Sequence, residues 1–260
     1  MAGPSTVFLM YHELEMPGRA LSLPDPGYVR YAVSEHEFRE QMQHLEDRGY
    51  HGSTVSQALK FAGGKYVAIT FDDGSETDLL AAAPILQKAG FGATFYVTSG
   101  WLNRPSHLSA AQLIELSSQS FEIGCHSMTH AYLTDLDEVG LRRETLEAKS
   151  RLEDIIGKPV EHFSCPGGRY SWRVAQASHA AGYRTVATSR IHANSPSTSR
   201  FALGRVAIRR AVPIAGFAAI CTGEALLRLR AQSRIRDAAK HLLGSRLYDR
   251  VREGLLGHQE

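Results

Sequence analysis

The sequence predicts an α/β protein built on a parallel sheet. Two observations point there. Six short runs are nearly continuously apolar, as strands buried on both faces are. They are TVFLMY from Thr6, YVAITF from Tyr66, ATFYVT from Ala93, FEIGCH from Phe121, VEHFSC from Val160 and YRTVAT from Tyr183. Between them lie segments with helical spacing and cap signals, and strands alternating with helices make right-handed β-α-β units. Such a sheet can stay open or close into a barrel, and periodicity does not choose between the two.

Taken in order, the first run ends at His12. Pro17–Arg30 follows, rich in Pro and Gly, and reads as a long loop, placed to reach over a site. Ser34 and Glu37 form a capping-box pattern for a helix that puts Phe38, Met42 and Leu45 on one face and stops at Gly49. Thr77–Lys88 reads as a helix ending at Gly90. Asp135 is a candidate N-cap for a helix with Leu141, Thr145, Ala148, Leu152 and Ile155 on one stripe, stopped by Gly157. Another helix is expected from Ser171 to Ala181. A helical tail is expected from Gly223 to Gly254. There Leu227, Ala231, Ile235, Ala238 and Leu242 share a stripe among Arg228, Arg230, Arg234, Arg236 and Lys240. Its apolar face can pack on the domain, or the basic helix can make a peripheral contact with an anionic membrane surface or a protein partner.

Whole-chain properties set bounds. The 260 residues suffice for one large α/β domain or two small ones. A formal net charge of +2 gives no field that points to nucleic acid. Cys125, Cys165 and Cys221 are odd in number and show no C-x-x-C pair, which speaks against a disulfide framework or a structural zinc site. The opening MAGPSTVFLMYHE lacks the regions of a signal peptide, and no apolar stretch is long enough to span a bilayer. A cytoplasmic location is the resulting expectation.

Catalytic groups in such folds collect at the carboxyl ends of strands. His12, Asp72, Asp73, His126 and Pro166 all fall there. Asp-Asp-Gly alone is common in turns, and His126 with His130 alone could be two surface histidines. Together they offer one carboxylate and two imidazoles, the three ligands with a vacancy for water that a catalytic divalent metal needs. The second carboxylate is then left to act as a base.

TFDDG (Thr70–Gly74), HSMTH (His126–His130) and FSCPGG (Phe163–Gly168) resemble, in order and approximate spacing, the polysaccharide deacetylases, the NodB-homology carbohydrate esterases. The opening LMYHE looks like a circularly permuted branch whose first strand ends in Tyr-His. The resemblance implies a distorted (β/α) barrel of about seven strands, fewer than the eight of a regular one. It covers roughly residues 5 to 215, giving a catalytic domain over residues 1–215 and a basic helical extension over 216–260. It implies that Asp73, His126 and His130 hold a divalent metal, most often zinc, and that Asp72 is the general base. Ser127 would support the histidine loop. His12 would be the general acid, and the Gly167 N–H, beside Pro166, would meet the oxyanion. The family's usual Arg two residues before the motif's Pro is Ser164 here, and Arg169 is a candidate to pair with Asp72 in its stead. The usual aromatic after that Pro is Gly167, which suggests a wider or differently shaped pocket. The implied reaction is removal of an N-acetyl group from an amino sugar in a polysaccharide, an oligosaccharide or a lipid- or nucleotide-linked intermediate. Two alternatives share the pattern: hydrolysis of a formamide or small cyclic amide, and a non-catalytic glycan-binding relative.

Overall fold

Each of the six apolar runs forms a strand in the computed structural model of the chain, which describes residues 5–61 and 64–243, with side chains through residue 235. The main sheet has eight strands: β1 (Val7–Tyr11), β2 (His51–Ser53), β3 (Tyr66–Phe71), β4 (Thr94–Val97), β5 (Glu122–Cys125), β6 (His162–Ser164), β7 (Thr185–Ala187) and β8 (Val206–Ala207). The order along the sheet is β8-β1-β3-β4-β5-β6-β7. β2 pairs with the first half of β3, while β4 pairs with its last two residues. Every named pair is parallel. Sequence periodicity missed β2 and β8 because strands of two or three residues carry no readable alternation.

One segment links the two ends of the sheet. Leu203 bridges Ala187 of β7, and Val206 and Ala207 then pair with Leu9 and Met10 of β1. The sheet therefore curls into a distorted (β/α) barrel. Alternation along β1 separates its two faces. Val7, Leu9 and Tyr11 join the large cluster that includes the helix residues Phe38, Met42 and Leu45, whereas Phe8 joins a smaller one with Ala68, Tyr96, Ala187 and Leu203. Gly124 of β5 makes room for Tyr96, because a Cβ there would stand 2.4 Å from its ring.

Helix α1 (Glu35–Asp47) starts with the expected Ser34–Glu37 capping box and buries Phe38, Met42 and Leu45. Each such side chain contributes about 1.5–3 kcal/mol relative to exposure. Other elements depart from expectation. The Thr77–Lys88 helix opens as a π-helical turn, Asp78–Ala82, before α2 (Ala83–Lys88). The N-cap of α3 (Glu138–Arg142) is Asp137, whose carboxylate accepts from the Gly140 N–H, and Asp135 lies in the preceding 3₁₀ turn. The stripe Leu141, Thr145, Ala148 and Leu152 is buried as expected, and Gly157, at φ 65°, takes the left-handed cap. The Pro17–Arg30 loop contains a one-turn helix, Pro26–Val29, capped by Asp25.

The C-terminal region packs differently from its sequence pattern. α4 (Ile214–Cys221) buries Phe217, Ile220 and Cys221 in the main core. α5 (Leu226–Leu243) turns Leu226 and Leu229 toward that core, while Leu227 and Ile235 of the expected apolar stripe are 80% and 69% exposed. The side chains of Arg236, Ala238, Lys240 and Leu242, and the whole tail beyond residue 243, lie outside the described residues. Among the described residues, no helix is long and apolar enough to cross a membrane.

Candidate active site

The carboxyl ends of β1, β3 and β5 bring His12, Asp72, Asp73 and His126 to one cavity, which His130, Tyr132, Gly167 and Gly168 also line. Its volume is about 790 Å³. Asp72 and Asp73 follow β3 directly and diverge because Asp73 takes a left-handed backbone, φ 81°. Gly74 continues the turn at φ 80°, where a Cβ would come within 2.9 Å of Val97. Asp73, Ser127 and His130 are all non-glycine residues at positive φ. Such strain persists where the surroundings over-determine it, typically at functional sites.

The His126–His130 loop is held from within and from behind. Ser127 Oγ accepts from the His130 N–H at 3.0 Å. Buried Glu144 accepts from the N–H groups of Met128 and Thr129 and from the Thr129 hydroxyl. Trp101 stacks on the His130 ring at 5.0 Å between centroids. His126 Nδ1 faces the Ser164 carbonyl at 3.0 Å, so a proton there leaves the Nε2 lone pair turned to the cavity. His126 Nε2 and His130 Nε2 each stand 3.5 Å from Asp73 Oδ1. That oxygen is buried and has no hydrogen-bond donor. One potential ligand atom from each of the three side chains lies within 4.8 Å of the others. A buried acceptor facing two imidazole nitrogens without a donor suits a divalent cation, and the residue types match zinc.

Burial pushes the Asp73 carboxyl up to about 6, opposed by His12 and aided by the Asp72 charge. Burial also lowers His126 to about 3, and lowers His130 below its ordinary value. Both imidazoles are therefore neutral, the form in which they ligate. Asp72 behaves oppositely. Burial would raise its carboxyl, but the Arg205 guanidinium, with His126, holds it well below the usual range.

Arg205 is the residue that sequence reasoning missed. It is fully buried and grips Asp72 bidentately, Nη1 to Oδ1 and Nη2 to Oδ2, both at 2.7 Å. Nη2 also donates to Ser164 Oγ at 2.7 Å, and Ser164 in turn donates to Asp72. Its Nε donates to the Thr188 carbonyl, and its guanidinium lies over the Tyr96 ring. The small Ser164 thus leaves space for an arginine arriving from β8's approach. The one available signal was an arginine inside the otherwise apolar FALGRVAI.

This corrects the expectation for Arg169. It does not pair with Asp72; it is exposed and stacks over Tyr132 at 4.5 Å. Tyr132 in turn fills the space beside Gly167, where a Cβ would meet its ring at 2.8 Å. The loop after the histidine pair therefore places an aromatic ring beside Gly167, against the third motif. Gly167 itself is left-handed, φ 60°, in the turn that follows Pro166.

His12 lines the same cavity, with Nδ1 buried and unpartnered and its ring 5.4 Å from that of Tyr31. The next residue, buried Glu13, accepts from the Ser22 N–H and hydroxyl and from the Tyr28 hydroxyl. It thereby fastens the 17–30 loop, whose Gly27, Tyr28 and Arg30 form one cavity wall.

Comparisons with known proteins find polysaccharide deacetylases. The family model described as polysaccharide deacetylase matches residues 60–186. A Bacillus subtilis protein named for polysaccharide deacetylation, YxkH, is 28% identical over 206 residues, 77% of this chain and 70% of that one. A peptidoglycan-N-acetylglucosamine deacetylase of Bacillus cereus is 30% identical over 123 residues, 47% of this chain and 55% of its own. Among solved structures, a polysaccharide deacetylase from Bacillus cereus superposes with a TM-score of 0.74 at 25% identity, over 84% of this chain and 69% of that one.

Proposed function

The chain belongs to the polysaccharide deacetylase family, and on that premise we propose that it hydrolyses the N-acetyl group of an amino sugar with the aid of a divalent metal. The observation that carries the metal reading is Asp73 Oδ1, buried without a donor and 3.5 Å from two imidazole nitrogens.

In this reading Asp73, His126 and His130 hold the cation, zinc being the first choice. When bound, it supplies Lewis-acid polarisation of the acyl oxygen and brings the pKa of a water toward about 7. Asp72 accepts the proton of the attacking water as its oxygen bonds to the amide carbon. Arg205 keeps Asp72 ionised and fixes its orientation, which makes Arg205 a positioning residue. The Gly167 N–H, beside Pro166, donates to the acyl oxygen while charge builds there. His12 gives a proton to the amide nitrogen as the C–N bond breaks, releasing acetate and a free amino sugar. Ser127 holds His130 in place through its backbone.

Metal stoichiometry of the purified protein, measured beside acetate release from N-acetylglucosamine oligomers, tests the reading. One equivalent of metal with release lost in Asp72→Asn is expected. A protein that takes up no metal would overturn it. Bound metal with no release from any acetylated sugar would favour another amide as substrate.

A further inference from the structure

The cavity extends well beyond the reacting groups. Its outer wall is built from the 17–30 loop, the segment after β8 and the facing sides of α4 and α5. Three arginines from these separate stretches, Arg30, Arg209 and Arg228, line it. Among the described residues, Asp72 and Asp73 supply the only carboxylates of the lining. Asp72 is matched by Arg205, and Asp73 faces the two histidines. Neither Arg30 nor Arg228 has a carboxylate partner among the described residues, whereas neighbouring Arg210 is paired with Glu15. Among the described residues, the outer lining therefore carries an excess of cationic side chains. The same lining includes the apolar side chains of Val212, Ile220 and Leu229.

A neutral sugar chain calls for hydroxyl and aromatic partners, which Tyr28, Tyr31, Tyr132 and Ser189 of the same lining offer. The guanidinium groups of Arg30 and Arg228, brought to one cavity from two separate elements, add partners matched to phosphate oxygens. We propose that the amino sugar bound here carries a phosphate ester, as a glycosyl phosphate or diphosphate, with the phosphate held by Arg30 and Arg228. The apolar wall receives the start of the group beyond the phosphate. The proposal rests on the deacetylase reading and specifies its substrate class. The phosphate could belong to a nucleotide or to a prenyl chain, and the two are separable by experiment.

Acetate release by the metal-loaded full chain is measured with three substrates: an N-acetylglucosamine tetramer, uridine-diphosphate N-acetylglucosamine, and a short-prenyl diphosphate N-acetylglucosamine. At least one phosphorylated substrate should exceed the tetramer in kcat/KM by about tenfold or more, as expected for one to two charge-assisted contacts. In Arg30→Gln/Arg228→Gln that ratio should fall by a similar factor, chiefly through KM, and added salt should reduce it in the wild type. Calorimetric binding of N-acetylglucosamine 1-phosphate should weaken in the same variant, independently of turnover. Whichever phosphorylated substrate is preferred identifies the source. A tetramer preferred by the wild type, or a ratio and binding unchanged by the double substitution, would overturn the proposal while leaving the deacetylase reading intact. No release from any of the three would remove both.

Discussion

Two buried pairings of carboxylate with imidazole sit at opposite ends of the barrel, and they differ in what they leave unsatisfied. At the amino-terminal end, Glu122, His162 and Thr185 open β5, β6 and β7. His162 Nδ1 meets Thr185 Oγ1 at 2.8 Å, and its Nε2 lies 2.9 Å from Ser56 Oγ and 3.2 Å from Glu122 Oε1. Glu122 also accepts from Thr94 Oγ1 at 2.7 Å, and every member has a partner. At the carboxyl-terminal end, Asp73 Oδ1 and His12 Nδ1 have none, and three non-glycine residues, Asp73, Ser127 and His130, are held at positive φ. The same residue types thus serve two purposes. Where the polar atoms satisfy one another the cluster ties strands and helix together; where they converge and remain unpaired, the cluster is built to receive something else.

Substitutions can break this contrast. The largest effect is expected at the open end: Asp73→Asn should abolish stoichiometric metal uptake, and Asp72→Asn should lower turnover at least about 100-fold, read as acetate release with metal content as the control. Removing Arg205 comes next. Arg205→Met leaves Asp72 buried without its counter-charge, a loss of about 3–5 kcal/mol when one member of a buried pair is deleted. Urea unfolding should register it, and turnover should fall as well because Asp72 loses its anchor. At the closed end, Glu122→Gln should cost about 1–3 kcal/mol while metal stoichiometry is retained. A large loss of metal there would show that the two ends are coupled.

The pH dependence sharpens the comparison with smaller effects of opposite sign. Burial would raise the Glu122 carboxyl, but His162 and the surrounding donors bring it from 4.5 to about 2. The unfolded chain then binds the extra proton between those values, so this contribution is present above 4.5 and is lost as pH falls toward 2. Asp73 is raised from 3.8 to about 6, so in the metal-free protein the folded state holds the extra proton. Its destabilising contribution is complete above about 6 and disappears as pH falls toward 3.8. Since the carboxylate must be free to ligate, metal affinity should weaken as pH drops through about 6. Unfolding of metal-free wild type, Asp73→Asn and Glu122→Gln across pH 3–7, together with metal titrations, checks both signs.

What could be read from the chain follows the range of the interactions. The six apolar runs, the capping box at Ser34 and the left-handed stop at Gly157 are local, and each matches its element. The group Asp72, Asp73, His126 and His130 was equally accessible, because a strand delivers whatever follows it to its own carboxyl end. Asp135 misled as a cap because Asp137, two residues on, offers the same side chain with the right reach to the Gly140 N–H. The α5 stripe misled because helical spacing shows that a face exists, not which face meets the domain.

The sequence by itself determined six of the eight strands of the main sheet, most of the helices and the four candidate side chains that follow strand ends. Tertiary structure decided their surroundings: Arg205 clasping Asp72 across 133 positions, Tyr132 filling the space beside Gly167, and the arginine-lined wall to which α4 and α5 contribute. The physical reason is the reach of each force. Backbone propensity and capping act over a few residues, whereas a buried charge can be neutralised by any partner the barrel brings within hydrogen-bond distance, and nothing adjacent in the chain announces which one that will be.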